Sequence, residues 1–448
     1  MTTVDVDLKY IWHPAAQMKD YEKFRPLAIK RAQGVYLYTE DGREILDIIG
    51  SWWCSLLGHC NERINKAVTE QLSNLEHVIF ANLTHEGAAR LAQRLSKILP
   101  SGLCKFNFAD NGSSAVEMAL KIAFQYCAQT GRERKIKFAC LEEGYHGETI
   151  GALSVGSMDK YTAVYKPMMM ESIHIKAPDC YRCPFNCTRD NCKALCLSSA
   201  KESIEKHAHE LCALIVEPLL QGAAGMRVYP EIYLKGLHKI CKDNDVLFIA
   251  DEIATGFGRT GEMFACCKAD ISPDIMTLSK GLTAGYMPMS IVCTTQQIFD
   301  AFYDDYQKGV AFMHSHTYAG NPLGCACANA VLDIFEDENI LDEARDSAAF
   351  LTQVLNDRFG GHKNVGEIRH IGLIHALELV ADKDSKAAFD PKTRTGYNIY
   401  RHALLEEGLL LRPIGDVLYF NPALNIKKED LLKAVDKMSR SLDSVLGK

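Results

Sequence analysis

The fold is decided by one stretch of the sequence, residues 246–280, which reads VLFIADEIATGFGRTGEMFACCKADISPDIMTLSK. It opens with an apolar run, 246–250, that predicts a buried strand ending at Asp251. A second short apolar run ends at Lys280, which stands directly before a glycine. These residues suit pyridoxal phosphate, because that cofactor needs a lysine for its Schiff base and an acidic group at its ring nitrogen.

Outward from this stretch, short apolar runs alternate with amphipathic segments. The predicted strands are 105–109, 136–140, 213–217 and 246–250. This alternation predicts an α/β fold whose large domain has a mostly parallel central sheet. Further strands near the N-terminus, around 365–379 and around 409–424, predict a smaller α+β domain built from both ends of the chain. The predicted division is 1–55 and 326–448 for the small domain and 56–325 for the large, cofactor-binding domain.

Composition narrows the class of protein. The chain has 448 residues, which is long for one simple core. Its net charge of −7, without basic blocks, argues against nucleic-acid binding. No apolar stretch has the roughly 18 residues of a membrane span, and the acidic N-terminus does not resemble a signal peptide. We therefore expect a cytoplasmic enzyme with no membrane or nucleic-acid partner.

A phosphate-binding turn is predicted after strand 105–109. The turn contains Gly112 and Ser113 and opens a helix, so free backbone N–H groups and the helix dipole would face an anion there. Ser114 and Glu117 have the spacing of a capping box at the start of that helix. The alternative is a plain strand–turn–helix connection.

Several residues are candidates for contacts with the cofactor ring. Asp251 would pair with the protonated ring nitrogen, which offsets the cost of burying a carboxylate, although a helix-capping role is the alternative. Desolvation would lower the pKa of Lys280 and make its amine a nucleophile. Tyr145 lies among glycines and either stacks on the ring or packs at a turn. Glu217 and Gln221 are candidates for contacts with the cofactor hydroxyl or with the residues behind the ring.

At this point the motifs match a known family. The run DEIATGFGRTG at 251–261, with Lys280 downstream and Thr317 shortly before Gly320-Asn321-Pro322, resembles the class III (omega-amino acid) aminotransferases. Within that class the chain is most similar to the members that convert 8-amino-7-oxononanoate to 7,8-diaminononanoate in biotin biosynthesis. The segments behind this choice are residues 11–14, 51–53, 144–147, 221–226 and 411–413.

The resemblance implies a fold type I enzyme that works as a homodimer with shared active sites. It implies that Lys280 holds pyridoxal 5'-phosphate and moves protons, that Asp251 pairs with the ring nitrogen and that Tyr145 stacks on the ring. It also implies that phosphate contacts come from Gly112, from Ser113 and, across the subunit interface, from Thr317.

The resemblance assigns a second group of residues to the substrate. Arg412 would bind the carboxylate of 8-amino-7-oxononanoate with its planar fork. Trp52 and Trp53 would line the channel for the aliphatic chain, and Arg259 would lie near a donor or acceptor carboxylate. No role is assigned to Ser315.

The amino donor is left open by the sequence. Many family members have an aromatic residue where this chain has Ala15. Segments 17–21 and 301–306 resemble a subgroup that uses lysine as donor. The pair Trp52-Trp53 and Tyr419 resemble members that use S-adenosylmethionine, which we take as the donor.

Five of the seventeen cysteines are clustered in one segment. They are Cys180, Cys183, Cys187, Cys192 and Cys196. Their spacing would suit a structural zinc or an iron–sulfur cluster. Their odd number and their distance in sequence from Lys280 favour reduced thiols in a surface loop, so we predict no metal.

Three alternative functions follow from the same residues. One is another class III transaminase that acts on an omega-amine such as a diamine or 4-aminobutyrate. Another is an aminomutase of the same fold, which uses the lysine but needs no external donor. The third is a non-enzymatic cofactor-binding or regulatory protein, which the intact Lys280 and Asp251 disfavour.

Overall fold

The structure is a computed structural model that describes residues 1–447. The predicted segment 326–448 ends at Lys448, which lies outside the described residues. The strands, numbered along the chain, are β1 Ile29–Gln33, β2 Tyr36–Thr39, β3 Glu44–Asp47, β4 Leu103–Ala109, β5 Lys137–Leu141, β6 Ser172–Ile175, β7 Leu211–Val216, β8 Leu220–Gln221, β9 Arg227–Val228, β10 Leu247–Asp251, β11 Ile275–Leu278, β12 Ser290–Thr295, β13 Val365–Ile371, β14 Ile374–Leu379, β15 Leu409–Leu410 and β16 Val417–Phe420.

The longer helices are Thr3–Tyr10, Glu62–Leu72, Glu86–Ile98, Gly112–Gln129, Leu197–His207, Glu231–Asp243, Pro322–Asp337, Ile340–Phe359, Thr395–Leu405 and Lys428–Leu446. Shorter helices are Ile150–Ser154, Asp159–Thr162, Ala265–Lys268 and Gln296–Asp300. No helix within residues 1–447 combines the length and the apolar composition needed to cross a bilayer.

The centre of the molecule is a seven-stranded sheet with strand order β4-β12-β11-β10-β7-β5-β6. Only β12 runs antiparallel to its neighbours, β11 and β4. The four strands predicted for this region are confirmed, with their ends shifted by one or two residues. Strands β6 and β12 were not predicted from the sequence. A short apolar run does not by itself indicate that a segment joins the sheet, next to which strand it lies, or in which direction it runs.

The central strands are buried on both faces. Every residue of β7 and β10 is buried, which fits their unbroken apolar sequences. Helix Gly112–Gln129 packs its apolar face against residues such as Ile249 and Ile275 of the sheet. The carboxyl ends of the parallel strands lie at one edge of the sheet, so the residues that follow them meet there.

The two ends of the chain meet in a four-stranded sheet of order β1-β2-β3-β15. In it, Leu409 of β15 pairs in parallel with Leu46 of β3. A separate three-stranded sheet has the order β13-β14-β16. The α/β fold class is confirmed, while the exact division into domains stays a prediction.

The predicted capping box at Ser114 and Glu117 is wrong. The helix begins at Gly112, and the side chain of Asn111 caps it by accepting a hydrogen bond from the Ser114 N–H at 3.0 Å. The Glu117 carboxylate instead accepts hydrogen bonds from the N–H groups of Gly151 (2.6 Å) and Ala152 (3.2 Å). Because the cap is Asn111 and not Ser114, Gly112 and Ser113 are the first two residues of the helix.

Candidate active site

Asp251 lies at the carboxyl end of β10 with its carboxylate almost fully buried. That carboxylate contacts Nδ1 of His146 at 2.6 Å and accepts hydrogen bonds from the Thr277 hydroxyl at 3.1 Å and the Ile253 N–H at 3.2 Å. No helix begins here, so Asp251 is not a helix cap. Its partners orient a buried carboxyl group, which is the kind of group that a protonated ring nitrogen requires as its partner.

Glu217, directly after β7, supplies a second buried carboxyl group. It accepts hydrogen bonds from the N–H groups of Tyr145 at 3.1 Å and Gly222 at 2.9 Å. Burial raises the pKa of Glu217 to about 7, although His146 and the two backbone N–H groups act in the opposite direction. Glu217 therefore titrates near neutral pH while it holds two loops of the site together.

Lys280 begins a short 3-10 helix, Lys280–Thr283, after β11 and has a positive φ of 40°. Its amine makes no hydrogen bond or ion pair with any of the described residues and lies 5.4 Å from the centroid of the Trp53 ring. Burial lowers the pKa of Lys280, although Asp251 and Glu217 act to raise it. An unpartnered amine close to a buried aspartate fits a cofactor that takes a lysine and an acid, as the sequence predicts.

The predicted phosphate-binding turn lies at the same edge of the sheet. The N–H groups of Gly112 and Ser113 donate to no described residue, so the helix N-terminus is available to an anion. The Ser113 hydroxyl lies 2.8 Å from the Thr149 hydroxyl and accepts a hydrogen bond from the Thr149 N–H at 3.0 Å. A Cβ atom at Gly147 would lie 2.4 Å from the Ser113 oxygen, so glycine is required there.

Tyr145 is half-buried beside these groups. Its hydroxyl donates to Glu148 at 3.1 Å, and its ring lies 5.3 Å from the ring of Tyr161. Burial raises the pKa of Tyr145 above its ordinary value. Gln221 donates to the Glu142 carbonyl at 2.8 Å, and its buried side-chain oxygen has no hydrogen-bond partner among the described residues.

The tryptophan pair lies on an unusual turn, Gly50–Trp53, which we call the tryptophan turn. All four residues have positive φ angles: 55° at Gly50, 43° at Ser51, 70° at Trp52 and 75° at Trp53. A left-handed conformation costs an L-residue roughly 1–2 kcal/mol. The turn therefore exists only because its surroundings stabilise it.

The two tryptophans face different parts of the site. Trp53 is buried, donates from Nε1 to the Tyr419 hydroxyl at 2.9 Å and lies below the Lys280 amine. Trp52 is 45% exposed, and the Arg412 guanidinium stacks on it at 4.3 Å from the ring centroid. Arg412 also donates to the Ala15 carbonyl at 3.2 Å. An apolar wall therefore runs from the lysine to an arginine.

Arg259 is fully buried behind the tryptophan turn. It donates to the main-chain carbonyls of Trp53 at 3.2 Å and Ser55 at 3.4 Å, and it also contacts the carbonyls of Asn421 and Pro422. Burial lowers its pKa to about 10. Arg259 stabilises the turn in this structure, and its contact with a substrate carboxylate stays a prediction.

Thr317 and Ser315 are exposed in a segment without regular secondary structure. Next to them, His316 contacts Asp110 at 2.9 Å, and the rings of His314 and His316 are stacked. Because Thr317 is exposed, its side chain is accessible. Its contact across a subunit interface stays a prediction.

The five clustered cysteines are free and half-buried. Burial raises the pKa of Cys180 to about 12, and Cys183, Cys192 and Cys196 lie close to it. Ion pairs of Arg182 with Glu378 and of Arg189 with Glu367, both at 2.5 Å, fasten this segment to β13 and β14. Among residues 1–447, no group of three or more potential ligands is arranged to hold a metal ion.

The sequence did not reveal all residues at the site. His146 lies directly after Tyr145, but nothing in the sequence shows that its ring reaches Asp251, 105 residues further on. Thr149 and Thr277 were also missed, because threonines near strand ends are common and only the fold brings these two to the site. The signal that the sequence does offer is that residues directly after parallel strands meet at one edge of the sheet.

The chain is similar to known proteins over nearly its whole length. The family description "Aminotransferase class-III" matches residues 17–442. Adenosylmethionine-8-amino-7-oxononanoate aminotransferase of Geobacter sulfurreducens is 42% identical over 449 residues, covering 100% of this chain and 98% of its own. The crystal structure of the aminotransferase of that name from Methanocaldococcus jannaschii has a TM-score of 0.92 and 36% identity, with 98% of each chain covered. The omega transaminase from Pseudomonas jessenii in complex with PMP has a TM-score of 0.94 and 30% identity, covering 99% of this chain and 98% of its own.

Proposed function

The chain belongs to the class III aminotransferases, and we propose that it transfers an amino group to the ketone of 8-amino-7-oxononanoate, giving 7,8-diaminononanoate in biotin biosynthesis. The observation that carries the proposal is the apolar wall of Trp53 and Trp52 between Lys280 and Arg412. A long aliphatic acceptor with a terminal carboxylate needs an apolar wall with a cation at its far end. Eight relatives that are 36–42% identical to the chain share the name given above, which supports the same acceptor.

The cofactor of this family is pyridoxal 5'-phosphate, which when bound supplies an electron sink for the carbon that loses a proton. In the proposal, Lys280 holds it and Asp251 pairs with its ring nitrogen. Gly112 and Ser113 bind its phosphate through the free N–H groups of the helix N-terminus, and Tyr145 stacks on its ring. His146 keeps the Asp251 carboxylate in place at 2.6 Å.

Proton transfer is the task of Lys280. Because burial lowers its pKa, the amine gives up its proton more easily than an exposed lysine, and it has no competing hydrogen bond among the described residues. It removes a proton from the donor carbon and later returns one to the acceptor carbon. The ring of Trp53 shields the amine on one side from water.

Arg412 recognises the acceptor by its carboxylate. Arg412 is half-buried and its guanidinium is oriented by stacking on Trp52, so a bidentate contact requires little further ordering. The carbonyl of Ala15 accepts one of its hydrogen bonds, so the N-terminal segment reaches this end of the site without the aromatic ring of other members.

The proposal also includes the amino donor and the oligomeric state. We propose S-adenosylmethionine as the amino donor, with lysine as the alternative, and a homodimer in which Thr317 contacts the phosphate in the neighbouring subunit. A cytoplasmic location stays a prediction from the sequence.

The test is product formation by the purified enzyme. Incubation with 8-amino-7-oxononanoate and either S-adenosylmethionine or lysine is expected to give 7,8-diaminononanoate, measured by mass spectrometry. The Lys280→Ala variant is the negative control and gives none. Absence of the diamine with both donors contradicts the proposal.

A second candidate is an omega-amine transaminase with a different acceptor. It is supported by the similarity to solved omega transaminases, with TM-scores of 0.93 to 0.94 and identities of 30% to 31%. Rapid transamination of simple omega-amines, with no turnover of 8-amino-7-oxononanoate, would favour it.

A further inference from the structure

The buried carboxylate of Asp47 stabilises the tryptophan turn from one side. Asp47 ends β3, three residues before the turn begins, and its side chain is 1% exposed. It accepts four hydrogen bonds: from the N–H groups of Ile49 (3.1 Å) and Ser51 (2.9 Å), from the Ser51 hydroxyl (2.8 Å) and from Nε2 of His59 (3.0 Å).

His59 is itself fixed by the backbone. Its N–H donates to the Gly34 carbonyl at 2.7 Å, and its carbonyl accepts from the Gly34 N–H at 3.0 Å. Burial alone would raise the pKa of Asp47, but the hydrogen bonds from His59 and Ser51 outweigh it and lower that pKa. Asp47 is therefore an ionised group with its partners in place.

Nothing in the proposed chemistry uses Asp47. Its hydrogen bonds are to the backbone and side chains of the segment that carries the two tryptophans and to His59. Arg259 stabilises the far end of the same turn through the Trp53 carbonyl. Four successive left-handed residues are thus held at one end by a buried anion and at the other by a buried cation.

We propose that Asp47 is a positioning residue for substrate recognition, which holds the tryptophan turn so that Trp53 lies below Lys280 and Trp52 lies below Arg412. The proposal deepens the function given above and rests on it for the identity of the acceptor. Without the carboxylate, the donors on Ser51 and Ile49 lose their acceptor, and Ser51 and its neighbours relax toward ordinary backbone angles. Both rings then move, and the apolar wall is lost.

The first test reads the tryptophans directly and needs no substrate. The chain has three tryptophans, so a Trp12→Phe background leaves Trp52 and Trp53 as the reporters. In this background, with cofactor bound, Asp47→Asn is expected to shift the emission to the red, to increase acrylamide quenching and to weaken the near-ultraviolet circular dichroism. Asp41→Asn is the matched control, because Asp41 is an exposed carboxylate in the same hairpin.

The second test separates positioning from general structure. Asp47→Asn is expected to raise the KM for 8-amino-7-oxononanoate more than it lowers kcat, with kcat/KM falling about 10-fold to 100-fold. Ser51→Ala removes one hydrogen bond but keeps the buried charge, and it should change the tryptophan signals and the KM in the same direction by less. This variant keeps the test decisive if Asp47→Asn fails to fold.

The outcomes are distinguishable. Tryptophan signals that stay unchanged in both Asp47→Asn and Ser51→Ala overturn the proposal, and so does a loss confined to kcat. If 8-amino-7-oxononanoate is not the acceptor, the parent enzyme fails with it, while the tryptophan signals still report on the turn.

Discussion

At the residue scale, two carboxyl groups act on the same lysine from different surroundings. Asp251 has a histidine, a hydroxyl and a backbone N–H as partners. Among the described residues, Glu217 has two backbone N–H groups as its hydrogen-bond partners, and burial raises its pKa to about 7. The two carboxyl groups thus differ in their partners, and Glu217 is the one that titrates near neutral pH.

Replacing Asp251 by asparagine should leave the fold intact and slow transamination. A neutral amide does not hold a ring nitrogen protonated, so the rate is expected to fall by at least about tenfold, or about 1.4 kcal/mol of barrier. Asp274→Asn is the matched control, because this half-buried aspartate accepts the Phe248 N–H near the other end of β10. Single-turnover rates measure the effect, and equal rates for both variants would place the cofactor elsewhere.

Glu217 should make stability depend on pH in a defined window. Because its pKa is raised from 4.5 to about 7, the folded protein keeps a proton that the unfolded chain has lost between these values. Its contribution to stability therefore falls as the pH rises through that window.

Glu217→Gln removes this dependence. The free energy of unfolding of the variant, relative to that of the parent, is expected to increase as the pH rises from 4.5 to about 7. Denaturant unfolding at several pH values measures this difference. Glu262→Gln, at an exposed ion pair with Arg345, serves as control. A stability difference that stays constant with pH would show that Glu217 is ionised throughout.

Arg412→Ala should affect binding of the carboxylate more than the chemistry. The KM for 8-amino-7-oxononanoate is expected to rise about tenfold or more, since a desolvated charge pair is worth at least about 1.4 kcal/mol. An acceptor without a carboxylate should be much less affected. Arg43→Ala, at an exposed ion pair with Asp41, is the control, and equal effects of Arg412→Ala on both acceptors would make Arg412 a structural residue.

At the element scale, the central strands were predictable and their surroundings were not. Unbroken apolar runs such as 246–250 signal burial on both faces, so the strand end at Asp251 could be located from sequence. The left-handed angles of Ser51, Trp52 and Trp53 carry no such signal, because none of these residue types favours them. The turn depends on Asp47 and on Arg259, which is 208 residues further on in the sequence than Ser51, and only the fold brings them together.

The segment with the five clustered cysteines gives a test of metal binding. We expect purified enzyme to contain far less than one zinc or iron ion per chain, because the spacing is irregular and the thiols are partly buried. Cys183→Ser should then leave transamination unchanged, as should Cys267→Ser at an exposed cysteine outside the cluster. One tightly held ion per chain, lost in Cys183→Ser only, would contradict this expectation.

At the scale of the whole molecule, the active site draws on distant parts of the chain. Asp251 and Lys280 come from the central sheet, the tryptophan turn follows β3, and Arg412 follows β15, which pairs with β3. The pairing of β3 with β15 therefore brings the tryptophan turn and Arg412 to the same side of the proposed cofactor site.

The most direct test of the central claim is acceptor choice in a single half-reaction. Enzyme that has been loaded with an amino group and freed of donor is mixed with 8-amino-7-oxononanoate, pyruvate or succinic semialdehyde, and the return of the cofactor absorbance is followed in a stopped-flow instrument. Because no donor is present, the measured rates depend on the acceptor alone. We predict that 8-amino-7-oxononanoate reacts at least about a hundredfold faster than the other two, since it alone fills the wall between Lys280 and Arg412. A faster reaction with pyruvate or succinic semialdehyde would contradict the account.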